Sequence, residues 1–117
     1  MIPRNAARLD GRVALVMGAG CVGPGWGNGN AAAVAYAMAG ATVVAVDRDL
    51  HAAEATCALI LAEGGACTAC AADVTRSDSV AAAVAEALRL HGRLDILHNN
   101  VGFAGMGDTV DLDEAEW

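Results

Sequence analysis

Residues 12–29 read RVALVMGAGCVGPGWGNG, and how this stretch divides decides the fold. Arg12 to Met17 is a short, unbroken apolar run stopped by a glycine, the pattern of a strand buried on both faces. Six glycines, with Pro24 and Asn28, then fill positions 18–29. Beyond them Asn30 to Ala39 sets Val34 and Met38 four apart among alanines, with Gly40 directly after, which predicts a buried helix and its C-terminal stop. A glycine-rich turn between a buried strand and a helix is where backbone N–H groups can approach a pyrophosphate at the positive end of the helix. Plain linkers are also glycine-rich, so the position of the stretch carries the reading, not its composition.

Outward from this unit the same alternation continues. Thr42 to Val46, β-branched and followed by Asp47, predicts a second strand. Leu50, Ala53, Cys57, Ile60 and Leu61 follow helical spacing, with Asp49 placed to cap the start and Gly64-Gly65 to stop the end. Ala66 to Ala72 reads as a third strand. Ser77 is placed to cap a third helix with Val80, Val84 and Leu88 on one stripe, ending at Gly92, and Leu94 to His98 reads as a fourth strand. Strands alternating with helices of this length imply right-handed βαβ crossovers. The expected fold is therefore α/β, a Rossmann-like doubly wound parallel sheet over one domain, residues 1–117, with 3-2-1-4 the order expected of a sheet of that type. Asp111 and Glu114 could box the start of a fourth helix, but Trp117 ends the chain a turn later, and a fragment is expected.

Composition narrows the function. The chain has a formal charge of −7, no lysine, and seven scattered arginines, so no face is basic enough to track a nucleic-acid backbone. No residue from Val13 to Val46 is charged, yet the glycines break that run, and Ala31 to Val46 is shorter than the ~18–20 residues a membrane span needs. With only five apolar residues after the first arginines, a signal peptide does not fit either, and a cytoplasmic protein is expected. Cys67 and Cys70 form a C-x-x-C pair, but on a strand residues three apart face opposite ways and cannot share a metal. The four cysteines read as small buried hydrophobes, and no metal site is expected. His51, His91 and His98 have no serine or cysteine motif beside them and read as structural.

Three further features sit where open α/β sheets bind ligands, at the C-terminal ends of strands. Asp47 lies about 20 residues past the glycines, where a carboxylate accepts hydrogen bonds from the adenosine ribose and repels a 2′-phosphate, so NAD is expected over NADP. Its plain alternative is a solvated aspartate, and Arg48 next door would soften the repulsion. Asp73-Val74 follows the third strand and Asn99-Asn100-Val101-Gly102 the fourth, although asparagine-glycine clusters are also ordinary turn formers.

In this order and spacing the motifs resemble the short-chain dehydrogenases/reductases, over nearly all of Leu9 to Trp117. That family's Thr-Gly-x-x-x-Gly-x-Gly loop is similar to Met17-Gly18 with Gly27-Asn28-Gly29, about five residues longer here. Its second-strand acid matches Asp47, its Asp-Val matches Asp73-Val74, its Asn-Asn-Ala-Gly matches Asn99 to Gly102, and Gly92 to Leu97 (GRLDIL) resembles the lead into that motif. The resemblance implies that Gly18, Asn28 and Gly29 meet the pyrophosphate, ahead of Gly23 or Gly25. It assigns Asp47 to the adenosine ribose, Asp73-Val74 to the adenine edge, and Asn100, Val101 and Gly102 to the nicotinamide side. Met17 stands where the family has the threonine that ties loop to asparagine motif, and Cys21 to Trp26 is extra.

The family's catalysis depends on a Tyr-x-x-x-Lys pair with a serine and an asparagine. This chain has no lysine, and Tyr36, its one tyrosine, lies in the first helix with Gly40 four residues on. No catalytic residue is therefore expected in the chain. The reading is an NAD(P)-dependent alcohol/carbonyl oxidoreductase represented by its cofactor-binding half. The alternatives are a non-catalytic NAD-sensing module and an inactive remnant. A sheet ending at the fourth strand would leave a hydrogen-bonding edge open, and without the helices through which family members pair, assembly like the homo-oligomeric parent is not expected.

Overall fold

The computed structural model describes residues 8–20 and 27–101. Four strands, β1 (Val13–Met17), β2 (Thr42–Asp47), β3 (Ala66–Ala71) and β4 (Ile96–Asn99), alternate with three helices, α1 (Asn28–Met38), α2 (Leu50–Ala62) and α3 (Ser77–His91). The strands form one sheet in the order β3-β2-β1-β4, every pairing parallel. Met17 pairs with both Val46 and Asn99, so the ends of β1, β2 and β4 come level.

All five β1 residues are buried, because side chains alternating along a central parallel strand meet a covered face either way. Leu15 and Met17 pack with Val44, Val46 and the α3 residues Ala83 and Ala87. Val16, one residue out of phase, packs on the other side with Val43, Ala33 and Ala37 of α1 and Ile60 of α2. The sheet is thus doubly wound, as its sequence implies. Alanine at the contact points brings helix and sheet close together.

Several local expectations change. Helix α1 begins at Asn28 rather than Asn30, with Asn30 Oδ1 accepting from Gly27 N–H at 2.8 Å. Ser77 does not cap α3: Arg76 holds the cap position without a side-chain bond, and Ser79 Oγ instead accepts from Asp73 N–H at 2.8 Å. The stripe of α3 on the core is Val80, Ala83 and Ala87, at the i, i+3, i+7 spacing of one helix face, while Leu88, one residue further round, is 45% exposed. Strand β4 starts at Ile96, not Leu94. The predicted cap at Asp49 is present, its Oδ1 accepting from His51 N–H at 3.0 Å, and Gly92 ends α3 in the left-handed region at φ 74°. Cys67 packs on the α1–α2 side of the sheet and Cys70 on the α3 side. Burial, with Cys57 alongside, pushes the Cys67 thiol well above its usual range. The Asp111–Glu114 helix start lies outside the described residues.

Where β4 enters the sheet, Asp95 accepts from Val13 N–H at 2.9 Å and from Arg93 Nη2 and Nε at 2.7 and 2.8 Å, with Arg12 Nη1 at 3.4 Å. The Arg93 hydrogen bonds, then the Val13 N–H, hold its carboxyl well below the usual carboxylate range. A depressed carboxyl contributes stability that is complete above the unfolded value of about 4 and is lost as pH falls through the folded one. Asp95→Asn is expected to melt below the wild type at pH 7, with the gap closing as pH drops under about 4. Thermal melts followed by circular dichroism across that range check this, and a gap independent of pH would contradict it.

Candidate functional site

The C-terminal ends of β1, β2 and β4 and the first turn of α1 meet at one edge of the sheet. Gly18 turns the chain out of β1 at φ 76°, a left-handed conformation that side chains resist, and its N–H donates to Val46 O at 2.8 Å. A Cβ here would stand 2.9 Å from Val101 Cγ2 and 3.2 Å from the Asn100 carbonyl. Gly29, in the first turn of α1, is packed tighter still: a Cβ there would overlap the Gly18 carbonyl oxygen and stand 2.9 Å from Asn100 Nδ2. Asn100 N–H in turn donates to Met17 O at 3.0 Å. Two motifs far apart in sequence, the glycine-rich stretch and the asparagine motif, are therefore brought into contact through Gly18, Gly29, Asn100 and Val101.

The first turn of α1 contains no acidic residue, so the positive end of the helix dipole is not neutralised there. Asn28 is exposed at this end while Gly29 and Asn30 are buried. An anion set against this turn would face the positive end of the helix dipole.

Asp47 ends β2 beside the loop. Its Oδ2 accepts from Gly20 N–H at 2.9 Å and its Oδ1 from Asp49 N–H at 3.0 Å. The carboxylate is fixed in direction while keeping lone pairs for a further donor. Behind the same loop the hydroxyl of Thr56, buried on α2, donates to Ala19 O at 2.6 Å. Sequence reading missed Thr56, since a threonine inside a helix looks like any polar position.

Asp73 behaves differently. Its Oδ1 accepts from Thr75 N–H at 3.0 Å and Thr75 Oγ1 at 2.6 Å, and these bonds, helped by the charges of Arg48 and Arg76, hold its carboxyl below the usual range. Its carboxylate shapes the turn after β3, and the neighbouring Val74 is 39% exposed. Gly102 and the extra residues Cys21 to Trp26 lie outside the described residues. Tyr36 is half-buried against the α1–α2 core, with its hydroxyl 2.7 Å from Nδ1 of His98 and the two rings edge to face. His91 Nε2 stands 3.5 Å from Thr68 Oγ1. Among the described residues no helix is long and apolar enough to cross a membrane.

The short chain dehydrogenase family model matches residues 12–117. The chain belongs to this family. It is 41% identical over 110 residues to D-threitol dehydrogenase of Mycolicibacterium smegmatis, a match covering 94% of this chain and 40% of that enzyme. A Burkholderia xenovorans crystal structure assigned to the short-chain dehydrogenases/reductases superposes with a TM-score of 0.83 at 57% identity, over 96% of this chain and 44% of that one. A 7α-hydroxysteroid dehydrogenase complexed with NADH and 7-oxo glycochenodeoxycholic acid superposes with a TM-score of 0.83 at 34% identity, over 99% and 43%. A metagenomic short-chain oxidoreductase of similar fold holds NADP. The chain thus spans less than half the length of these relatives, and the span it shares with them is the one that carries the strand-end cluster.

Proposed function

We propose that this chain provides the dinucleotide-binding part of an NAD-dependent oxidoreductase that interconverts an alcohol and a carbonyl. The observation carrying the reading is the close packing of Gly29 on the Gly18 carbonyl and Asn100, which sets the first turn of α1 against the ends of β1 and β4. That cradle, an uncompensated helix N-terminus and an acceptor carboxylate at the end of β2 suit a pyrophosphate flanked by a ribose. Family membership and the NADH and NADP complexes of similar proteins support a nicotinamide dinucleotide as the ligand.

Gly18, Asn28 and Gly29 would hold the pyrophosphate through backbone groups. Asp47 would accept from the adenosine ribose, and its charge disfavours a 2′-phosphate. Asp73 and Val74 would border the adenine, with Asn100, Val101 and Gly102 toward the nicotinamide. The bound dinucleotide would supply the hydride acceptor or donor. The chain has no lysine, and its one tyrosine is paired with His98, so by itself it is expected to bind cofactor without turnover.

Calorimetric titration with NAD and NADP, with circular dichroism as the check on folding, tests the reading. NAD should bind saturably and more tightly than NADP. Asp47→Ala should weaken NAD about ten- to a hundredfold, since a hydrogen bond to a charged group contributes roughly 1.5–3 kcal/mol. A folded chain that takes up neither dinucleotide, or prefers NADP, would overturn it.

A further inference from the structure

The peptide joining Ala19 to Gly20 is held at both ends. Its carbonyl accepts from Thr56 Oγ1 at 2.6 Å, and its N–H donates to Asp47 Oδ2 at 2.9 Å. The second acceptor near the Thr56 hydroxyl, Ala52 O in the preceding helical turn, is 3.5 Å away, so the single hydroxyl proton is committed to Ala19. Thr56 and Ala19 are both fully buried, which leaves water no access to replace this bond. Gly20 fits closely between Asp47 and Ala52, where a Cβ would stand 2.7 Å from both Asp47 Cγ and Ala52 Cβ. A peptide is planar, so fixing the direction of its carbonyl also fixes the direction of its N–H.

We propose that Thr56 is a positioning residue for cofactor recognition: through the Ala19–Gly20 peptide it sets the orientation of the Asp47 carboxylate toward the adenosine ribose. The inference rests on the NAD reading given above and adds to it a specificity determinant in the middle of α2, remote from the glycine motif. If the Ala19 carbonyl loses its donor, the peptide is free to rotate, Gly20 N–H leaves Oδ2, and the carboxylate is held at Oδ1 alone. The ribose then meets an acceptor that must be ordered on binding.

Thr56→Val keeps the shape of the side chain and removes the hydroxyl. Titration of the 117-residue chain should show NAD affinity reduced by roughly tenfold, the worth of one well-placed hydrogen bond, with the preference for NAD over NADP reduced as well. Thr56→Ser should bind within about twofold of wild type, because the donor is retained. Combined with Asp47→Ala, Thr56→Val should add no more than about twofold, since residues acting through one another are not additive. If Thr56→Val melts below the assay temperature, Thr56→Ser against Thr56→Cys makes the same comparison, a thiol being a weak donor. Unchanged NAD affinity in Thr56→Val, or a tenfold loss that persists on the Asp47→Ala background, would overturn the inference while leaving the cofactor reading in place. A folded wild-type chain that does not bind NAD would overturn both.

Discussion

Gly29→Ala is expected to abolish measurable NAD uptake and to destabilise the chain by about 2 kcal/mol, within the usual range for overpacking. On an isolated helix the same change would stabilise by up to about 1 kcal/mol, because alanine is the better helix former. Here the added carbon overlaps the Gly18 carbonyl oxygen, and that neighbour is backbone at the end of the central strand, which cannot turn aside as a side chain would. Either α1 shifts away from the sheet or the Gly18 turn opens, and each separates the helix N-terminus from Asn100. Gly27 provides the control: among the described residues its Cβ would meet only Asn30 Oδ1, at 3.6 Å, so Gly27→Ala should fold and bind nearly as the wild type does. Urea unfolding and NAD titration of the two variants check the contrast, and equal behaviour would remove the argument from close packing.

Leu15→Ala should cost about 3–5 kcal/mol, the upper part of the range for emptying a leucine site in a packed core. Leu15 is fully buried on the central strand, and the helix facing it presents Ala83 and Ala87. Alanine has no rotamer with which to reach into the space, so the cavity would remain and the full penalty apply. For a small domain holding roughly 5–15 kcal/mol in all, that is a large share of its stability. Leu97, 54% exposed on β4, should lose under about 1 kcal/mol on the same truncation. Denaturant midpoints compared at constant slope read both, and a Leu15→Ala loss below about 1 kcal/mol would mean the core relaxes around the missing atoms.

The central strands were legible because a parallel strand covered on both faces needs an unbroken apolar run, and RVALVM and TVVAV offer no other reading at that length. Alternation and handedness implied a parallel doubly wound sheet, while the order 3-2-1-4 came with the resemblance, since those two rules admit other orders. Element ends were less so. Leu94 is apolar and was read into β4, yet it packs on the core from outside the strand. Ser77 and Ser79 offer two hydroxyls at neighbouring positions, and only the path of the Asp73–Thr75 turn selects Ser79. At the site, Gly18, Gly29, Asn100 and Val101 were legible as motifs, and their convergence follows from β1 and β4 ending side by side with α1 starting just beyond β1. Gly20 and Thr56 were not. Their roles depend on a peptide clamped between two elements, and a bond made across 37 residues leaves no periodic trace.

The bond from Asp95 to Val13 also joins distant parts of the chain, 82 residues apart, whereas β1 meets β2 across less than half that distance. Closing the longer loop costs roughly 1 kcal/mol more in chain entropy than closing the shorter one. A strand order of 3-2-1-4 makes this unavoidable, because the last strand must return past two others to the first. The sheet therefore has a seam between β1 and β4. One end of it is fastened by the Asp95 carboxylate and the other by Asn100 on Met17. Met17 leads into the glycine turn and Asn100 borders it, so the cofactor cradle exists only when this seam is closed, and binding depends on the contact of the sheet that costs the most chain entropy to make.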